Sequence, residues 1–214
     1  NNSVHHCGRV NSHGIGIWLG GQGVKVSHNL LHDLPRCGIF GYGRFCEISY
    51  NRIRHVNVIN DDTGAIYGGG WRTTGSKVCY NWISDSIGFQ RNRKGEYVLY
   101  RGACGIYPDE GCGALAVYGN LIEHCHHVAM HLHNGRWITI SNNVFRNDAP
   151  MRWSFQGSGH GVFCDNKVYT LAMPTNDAYR ENCDFWGRNE LYVKQSDGSY
   201  KLKETVSLER QKAK

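Results

Sequence analysis

Two acidic segments of this 214-residue chain carry residue types that can do general acid–base chemistry. One contains Asp61 and Asp62 and continues as Thr-Gly-Ala-Ile-Tyr; the other contains Asp109 and Glu110 within Gly-Ile-Tyr-Pro-Asp-Glu-Gly. Cleavage of a glycosidic bond needs two carboxyl groups, one protonated and one ionised. We expect Asp62 and Asp109 to be such a pair, provided that the chain bends near Gly64 to bring them together.

Aromatic and histidine residues recur one and three places after a second apolar position of each repeat. Because side chains alternate across a strand and neighbouring strands lie about 4.8 Å apart, these residues should form one outward-facing wall. The expected wall contains Trp18 and Gly20, Phe40 and Tyr42, Tyr67 and Gly69, Tyr107 and Asp109, His131 and His133, and Trp153 and Phe155. A contiguous aromatic surface is typical of a ligand site. The alternative is that these rings form a secondary core beneath loops.

A groove with aromatic platforms and central acids suits a sugar chain, since rings can pack on the C–H face of a pyranose. The residues that we expect to bind substrate are Glu110, His131, His133, Tyr67, Tyr107, Trp18, Tyr42, Trp153, Trp71 and Arg72. Zinc would need three or four ligands, for which His131, His133 and Asp109 are candidates. We favour hydrogen bonds from the histidines to sugar hydroxyls, and we expect no metal and no cofactor.

The elements that must position these residues are marked by a repeated phrase: an apolar residue, two variable residues, Asn, one variable residue and another apolar residue. Its full copies are centred on Asn29, Asn51, Asn81, Asn120, Asn143 and Asn166. Spacings near 22 residues with strand patterning indicate a solenoid. Stacked Asn amides can bond one another and satisfy an interior polar ladder. The prediction is an all-β, single-stranded parallel β-helix of about seven coils, right-handed as parallel crossovers generally are.

The apolar residue three places before each Asn should stack inside the solenoid. These residues are Val26, Ile48, Val78, Val117, Ile140 and Phe163. We expect the β-helix to occupy residues 1–188, as the C-terminal portion of a longer domain, and a hairpin with a polar tail to occupy 189–214. No signal peptide is visible at the start.

Composition narrows the classes of partner. No run of 18 apolar residues is present, so we expect no membrane span. The net charge is +6, but the basic residues are scattered, so nucleic acid is not expected either. The nine cysteines are best interpreted as small buried apolar residues, with Cys104 and Cys112 as the best disulfide candidates. We expect a monomer that binds a carbohydrate polymer or oligosaccharide.

The motifs together resemble a known group of proteins. The segments 29–39, 62–67, 105–111 and 117–120 are similar to right-handed parallel β-helix proteins of the pectate-lyase-like superfamily. More narrowly, residues 25 to 147 resemble glycoside hydrolase family 141, which includes fucosidase and xylanase activities. The resemblance implies Asp62 and Asp109 as the catalytic pair and favours a secreted or periplasmic location. The chain departs from the family pattern at Pro108, at Glu110 and after Tyr67.

Three functional classes remain open from the sequence. A glycoside hydrolase is favoured. A polysaccharide lyase that acts on an acidic polymer is second, and it would need a base and often Ca²⁺. Candidate bases are Arg72, Lys77, Arg101 and His131. The third class is a non-catalytic carbohydrate-binding or adhesion module.

Overall fold

The computed structural model describes residues 1–70, 73–99, 102–147, 153–156, 159–170 and 183–209. Within these ranges every regular element is a β-strand and no helix occurs. Consequently none of the described residues belongs to a helix that is long and apolar enough to span a bilayer. Most strands pair in parallel with the equivalent strand of the next repeat, which confirms the all-β class and is consistent with a β-solenoid.

Two stacks of strands flank the repeated Asn and belong to one 15-stranded sheet. The pre-Asn stack consists of β3 (Lys25–Ser27), β6 (Glu47–Ser49), β9 (Lys77–Cys79), β14 (Ala116–Tyr118), β17 (Thr139–Ser141) and β20 (Gly161–Cys164). The post-Asn stack consists of β1 (Ser3–His5), β4 (Leu30–His32), β7 (Arg52–Val56), β10 (Trp82–Ser86), β15 (Leu121–Glu123), β18 (Val144–Arg146) and β21 (Lys167–Thr170). The long strand β22 (Cys183–Lys194) pairs with both stacks and, antiparallel, with β23 (Tyr200–Glu209).

A third stack forms a separate six-stranded sheet, which we call the wall sheet. Its strands are β2 (Ile17–Trp18), β5 (Ile39–Phe40), β8 (Thr63–Gly69), β13 (Ala103–Asp109), β16 (Val128–His133) and β19 (Trp153–Gln156). The insert that precedes β13 forms an antiparallel hairpin of β11 (Phe89–Arg91) and β12 (Tyr97–Leu99).

A ladder of asparagine side chains runs through the turn between the pre-Asn and post-Asn stacks. Each side-chain Nδ2 donates to Oδ1 of the next Asn at 2.9–3.0 Å, and the backbone N–H of the same residue donates to the same oxygen. The rungs are Asn2, Asn29, Asn51, Asn81, Asn120, Asn143, Asn166 and Asn189. The predicted ladder is therefore confirmed. It also includes Asn189, whose phrase Trp186-Gly-Arg-Asn-Glu-Leu191 we had not counted as a copy.

The core lies between the three stacks. The six apolar residues predicted to stack inside are buried and pair in register from strand to strand. On the wall sheet, the inward positions are Ile39, Ile66, Ile106 and Met130, each with no exposed surface. Inward residues of all three stacks belong to one continuous apolar cluster.

The C-terminal region continues the stacking beyond the expected boundary. Residue 188 falls inside β22, which supplies the Asn189 rung and then turns through residues 195–199 into β23. This strand occupies the segment expected to be a polar tail as far as Glu209. The eight described cysteines are free thiols, so Cys104 and Cys112 form no disulfide.

Candidate functional site

The wall sheet carries a continuous ladder of rings on its outer face. Centroid separations are 5.4 Å from Trp18 to Phe40, 5.5 Å from Phe40 to Tyr67 and 5.0 Å from Tyr67 to Tyr107. His131 extends the ladder, with its ring 4.4 Å from that of Tyr107. The cause is the parallel register, which pairs Ile17, Ile39 and Ile66 and therefore aligns the residues that follow them.

The exposure of the rings changes along this ladder. Trp18 is 72% exposed at one end, Phe40 and Tyr67 are half-buried, and Tyr107 is only 5% exposed. Tyr107 packs with Cys104 and Val128 in a small apolar cluster of its own. Trp18 is thus an open stacking surface, whereas Tyr107 also acts as secondary core, so the two interpretations of the wall each hold for part of it.

Tyr42 is buried rather than exposed on the wall, and it contributes to the lining of the cavity described below. The side chain is 3% exposed, and its hydroxyl donates to the carbonyl of Ile66 at 3.1 Å. The reason is the preceding Gly41, whose φ of 101° ends the extended conformation and with it the alternation of side chains. Burial raises the pKa of Tyr42, as expected for a phenol inside the core.

The last wall strand is displaced by one residue from the predicted register. Trp153 pairs with Met130 and Phe155 with Leu132, which are inward positions. Ser154 and Gln156 therefore occupy the register positions of His131 and His133. Trp153 and Phe155 are therefore at the register positions of inward residues and not at those of the wall histidines, contrary to the prediction. Trp71 and Arg72 lie outside the described residues.

Asp109 is the centre of a hydrogen-bond network on the wall. Its Oδ2 accepts from the Tyr67 hydroxyl at 3.0 Å, and its Oδ1 lies 2.8 Å from Nδ1 of His133. Oδ1 also accepts from the backbone N–H of Glu110 at 2.8 Å. The Asp109 side chain is 13% exposed. Since an ionised carboxylate only accepts, Nδ1 of His133 is the donor and Nε2 is left as an acceptor.

Glu110 lies beside this network at the end of β13. Its backbone has φ 40°, and the following Gly111 has φ 77°, so the chain turns sharply here. The turn brings Glu110 Oε1 within 3.7 Å of His133 Nδ1. Asp109, Glu110 and His133 each offer one ligand atom within 4.8 Å of the others, so these three residues, rather than His131, are the ones that could hold a cation. The direct hydrogen bond between His133 and Asp109 already accounts for the proximity of these groups without an ion.

Asp62 lies at the opposite end of the paired strands from Asp109, because Thr63 pairs with Ala103 whereas Gly69 pairs with Asp109. It is exposed, has φ 49° and immediately precedes β8. A Cβ on Gly64 would lie 2.9 Å from both the Ile66 carbonyl oxygen and the Tyr107 Cβ, so the backbones of β8 and β13 approach closely at this glycine. On the other side, Asp62 contacts the returning end of the insert at Gly102.

Asp62 and Asp109 both affect the pKa values of the same two tyrosines, Tyr67 and Tyr107. Burial raises the pKa of Tyr67 and Tyr107, and the negative charges of Asp109 and Asp62 raise both further. Both tyrosines therefore stay protonated and are unsuited to be bases, and the hydroxyl of Tyr67 donates to Asp109. Asp62 makes no hydrogen bond or ion pair with another described residue.

A cavity of about 600 Å³ opens next to the Asp109 network. Its lining includes the side chains of Trp18, Phe40 and Arg44, and four glycines (Gly21, Gly41, Gly43 and Gly69) leave room between them. Gly69 pairs with Asp109 across the sheet, so the cavity begins one strand away from the carboxylate. The sequence analysis placed Gly69 on the wall but did not anticipate that successive glycines form a trench.

Arg36 is a second feature that the sequence analysis missed. Its guanidinium carbon lies 5.5 Å from the centre of the Tyr67 ring and 5.9 Å from that of Phe40. The residue belongs to the turn before β5, outside the repeating strand pattern, so no periodic signal could have placed it on the wall.

The comparisons with known proteins identify no relative: no protein-family model, no curated protein and no solved structure matches this chain. The resemblance to glycoside hydrolase family 141 therefore depends on the quoted motifs alone.

Proposed function

We propose that the protein is a glycoside hydrolase that binds a carbohydrate along the wall sheet of a right-handed parallel β-helix of about seven coils. The observation that carries the proposal is the Asp109 carboxylate, hydrogen-bonded by Tyr67 and His133 in the middle of a continuous aromatic ladder. Trp18, Phe40 and Tyr67 supply stacking surfaces for sugars on one side of the carboxylate, and the acid supplies the chemistry.

Asp109 takes the role of base or nucleophile and Asp62 that of general acid. Asp109 accepts three hydrogen bonds, which suits a carboxylate that remains ionised. Asp62 is exposed and accepts none from the described residues, so its side chain is free to reach the leaving oxygen of a bound glycan. The pairing is supported by Tyr67 and Tyr107, whose pKa values are raised most by burial and then by the charges of both aspartates, although Asp62 precedes the start of β8 and Asp109 ends β13.

A polysaccharide lyase is the second candidate, and His133 is the observation that favours it. Asp109 holds the imidazole through Nδ1, which leaves Nε2 as an oriented base for a proton beside a uronate carboxyl. The two candidates differ in their products: hydrolysis releases reducing ends alone, whereas elimination also leaves an unsaturated sugar.

The test is an assay of purified protein on neutral glycosides and on uronate polymers, with reducing ends and unsaturated products measured in parallel. Asp62→Asn and Asp109→Asn should each lower kcat by at least ~10²-fold without a change in fold. Asp165→Asn is the control, since this aspartate pairs with Arg188 in the turn between the pre-Asn and post-Asn stacks. Full activity in either site variant contradicts the assignment of Asp62 and Asp109. Unsaturated products would mean that the enzyme is a lyase and not a hydrolase.

A further inference from the structure

We propose that Arg36 forms a subsite for an anionic substituent of the glycan, a carboxylate or a sulfate, so that the substrate is an acidic glycan. This inference rests on the proposed function, and it adds the chemical class of the substrate.

The position of Arg36 is fixed by its neighbours in the turn. Leu34 and Cys37 on either side are fully buried, and the Arg36 carbonyl accepts from the Asn57 N–H at 3.1 Å. The half-buried side chain between them extends over the wall, where its guanidinium lies above both Phe40 and Tyr67. A cation over two aromatic faces is stabilised there by the ring quadrupoles.

The guanidinium of Arg36 has no carboxylate partner among the described residues. Two other arginines do have such a partner: Arg188 binds Asp165 at 2.6 Å, and Arg146 lies 4.0 Å from Glu123. The aromatic rings contribute no hydrogen-bond acceptor from a carboxylate, so the N–H donors of the Arg36 guanidinium have no anionic partner among the described residues. Such donors match the two oxygens of a carboxylate or a sulfate.

The subsite lies next to the proposed reaction centre. Tyr67 connects Arg36 to Asp109. The guanidinium carbon of Arg36 is 5.5 Å from the centre of the Tyr67 ring, and the Tyr67 hydroxyl is 3.0 Å from Asp109 Oδ2. The positive charge of Arg36 also lowers the pKa of Tyr67, opposing the larger effects of burial and Asp109. A sugar that binds on the wall beside Arg36 therefore presents a substituent to the guanidinium while the neighbouring bond reaches Asp109.

A second cation continues the same pattern along the trench. Arg44 lines the cavity beyond Phe40 and likewise makes no ion pair with a described residue. A chain with repeated anionic groups would meet Arg36 and then Arg44 as it follows the wall towards Trp18.

The experiment compares matched glycans that differ in charge alone. Dissociation constants are measured by titration calorimetry for a uronate oligosaccharide and its carboxyl-reduced form, and for a sulfated oligosaccharide and its desulfated form. The Asp62→Asn background prevents turnover. We expect at least one acidic member to bind about 10-fold or more tighter than its neutral match, as expected for a charge-assisted hydrogen bond. The two pairs distinguish carboxylate from sulfate.

Arg36→Gln should abolish this preference while leaving the affinity for the neutral glycans unchanged. Arg52→Gln is the matched control, because Arg52 also stacks on a ring, Trp82 at 3.8 Å, but in the post-Asn stack. The inference is overturned if acidic and neutral glycans bind with equal affinity. It is also overturned if Arg36→Gln lowers the affinity for both kinds of glycan equally. If neutral glycosides are then still cleaved with dependence on Asp62 and Asp109, the proposed function survives. If none of the four glycans binds, both proposals fail.

Discussion

At the scale of single residues, Tyr67 connects the aromatic ladder to the acid at its centre. Its ring packs between Phe40 and Tyr107, and its hydroxyl donates to Asp109. Tyr67→Phe keeps the ring and removes only the donor, so Asp109 loses one of its oriented partners. We expect kcat to fall about 10-fold or more, because one hydrogen bond to a charged group stabilises it by about 1.5–3 kcal/mol. Steady-state kinetics with a thermal melt checks this.

Tyr42 offers the control for that substitution. Its hydroxyl is also buried and bonded, but to the Ile66 carbonyl inside the core. Tyr42→Phe should lower the free energy of unfolding by about 1 kcal/mol and leave kcat unchanged. Equal losses of kcat in both variants would mean that the Tyr67 hydroxyl has no special role.

At the scale of elements, the asparagine ladder couples each repeat to the next. Oδ1 of Asn81 accepts from the backbone and side-chain amides of Asn51, and its Nδ2 donates to Asn120 and to the Ile48 carbonyl. Asn81→Ala leaves several of these buried groups unpaired, at about 1–3 kcal/mol each. We expect a loss of about 3 kcal/mol or more in urea unfolding, measured at constant m-value.

The first rung of the ladder tests whether burial is the cause of the large loss of stability expected for Asn81→Ala. Asn2 is exposed and donates to Asn29 without a described rung before it. Asn2→Ala should lower the free energy of unfolding by about 1 kcal/mol or less. Similar losses at Asn2 and Asn81 would argue against a cooperative interior ladder.

The turns of neighbouring repeats are also joined by charge. Asp33 contacts the Nδ1 atoms of His32 and His55, and these hydrogen bonds lower its pKa from 3.8 to about 2. Because the pKa is depressed in the folded state, the contribution to stability is complete above pH 4 and disappears as pH falls to about 2. The difference in unfolding free energy between the parent and Asp33→Asn should therefore shrink over this window. A difference that stays constant from pH 6 to 2 would contradict this interpretation.

At the scale of the whole molecule, buried thiols are distributed along the solenoid and report on its integrity. Burial raises the pKa of Cys37 to about 11 and those of Cys112 and Cys125 to about 12. A thiol that is both inaccessible and protonated does not react. In a Cys183→Ser variant, we expect a thiol reagent to label the partly exposed Cys7 rapidly and the buried thiols only on unfolding. Mass spectrometry of labelled peptides measures this, and rapid labelling of Cys112 under native conditions would show local opening at the site.

The repeated phrase alone was sufficient to predict the parallel stacking, the inward apolar residues and the Asn ladder. These features depend on period and alternation, which are properties of the chain itself. The same two rules predicted that Phe40, Tyr67, Tyr107 and His131 would align, because they follow an inward residue at equal spacing.

Only the tertiary structure decided the features that depend on turns and on contacts between repeats. The positive φ of Gly41 turns Tyr42 into the core, and a one-residue shift in β19 removes Trp153 from the wall positions. The turn that holds Arg36 places a cation over the aromatic ladder, where no periodic pattern points to it. Backbone conformation in a turn is set by what packs against it, so these details of the site emerge only when the repeats are stacked.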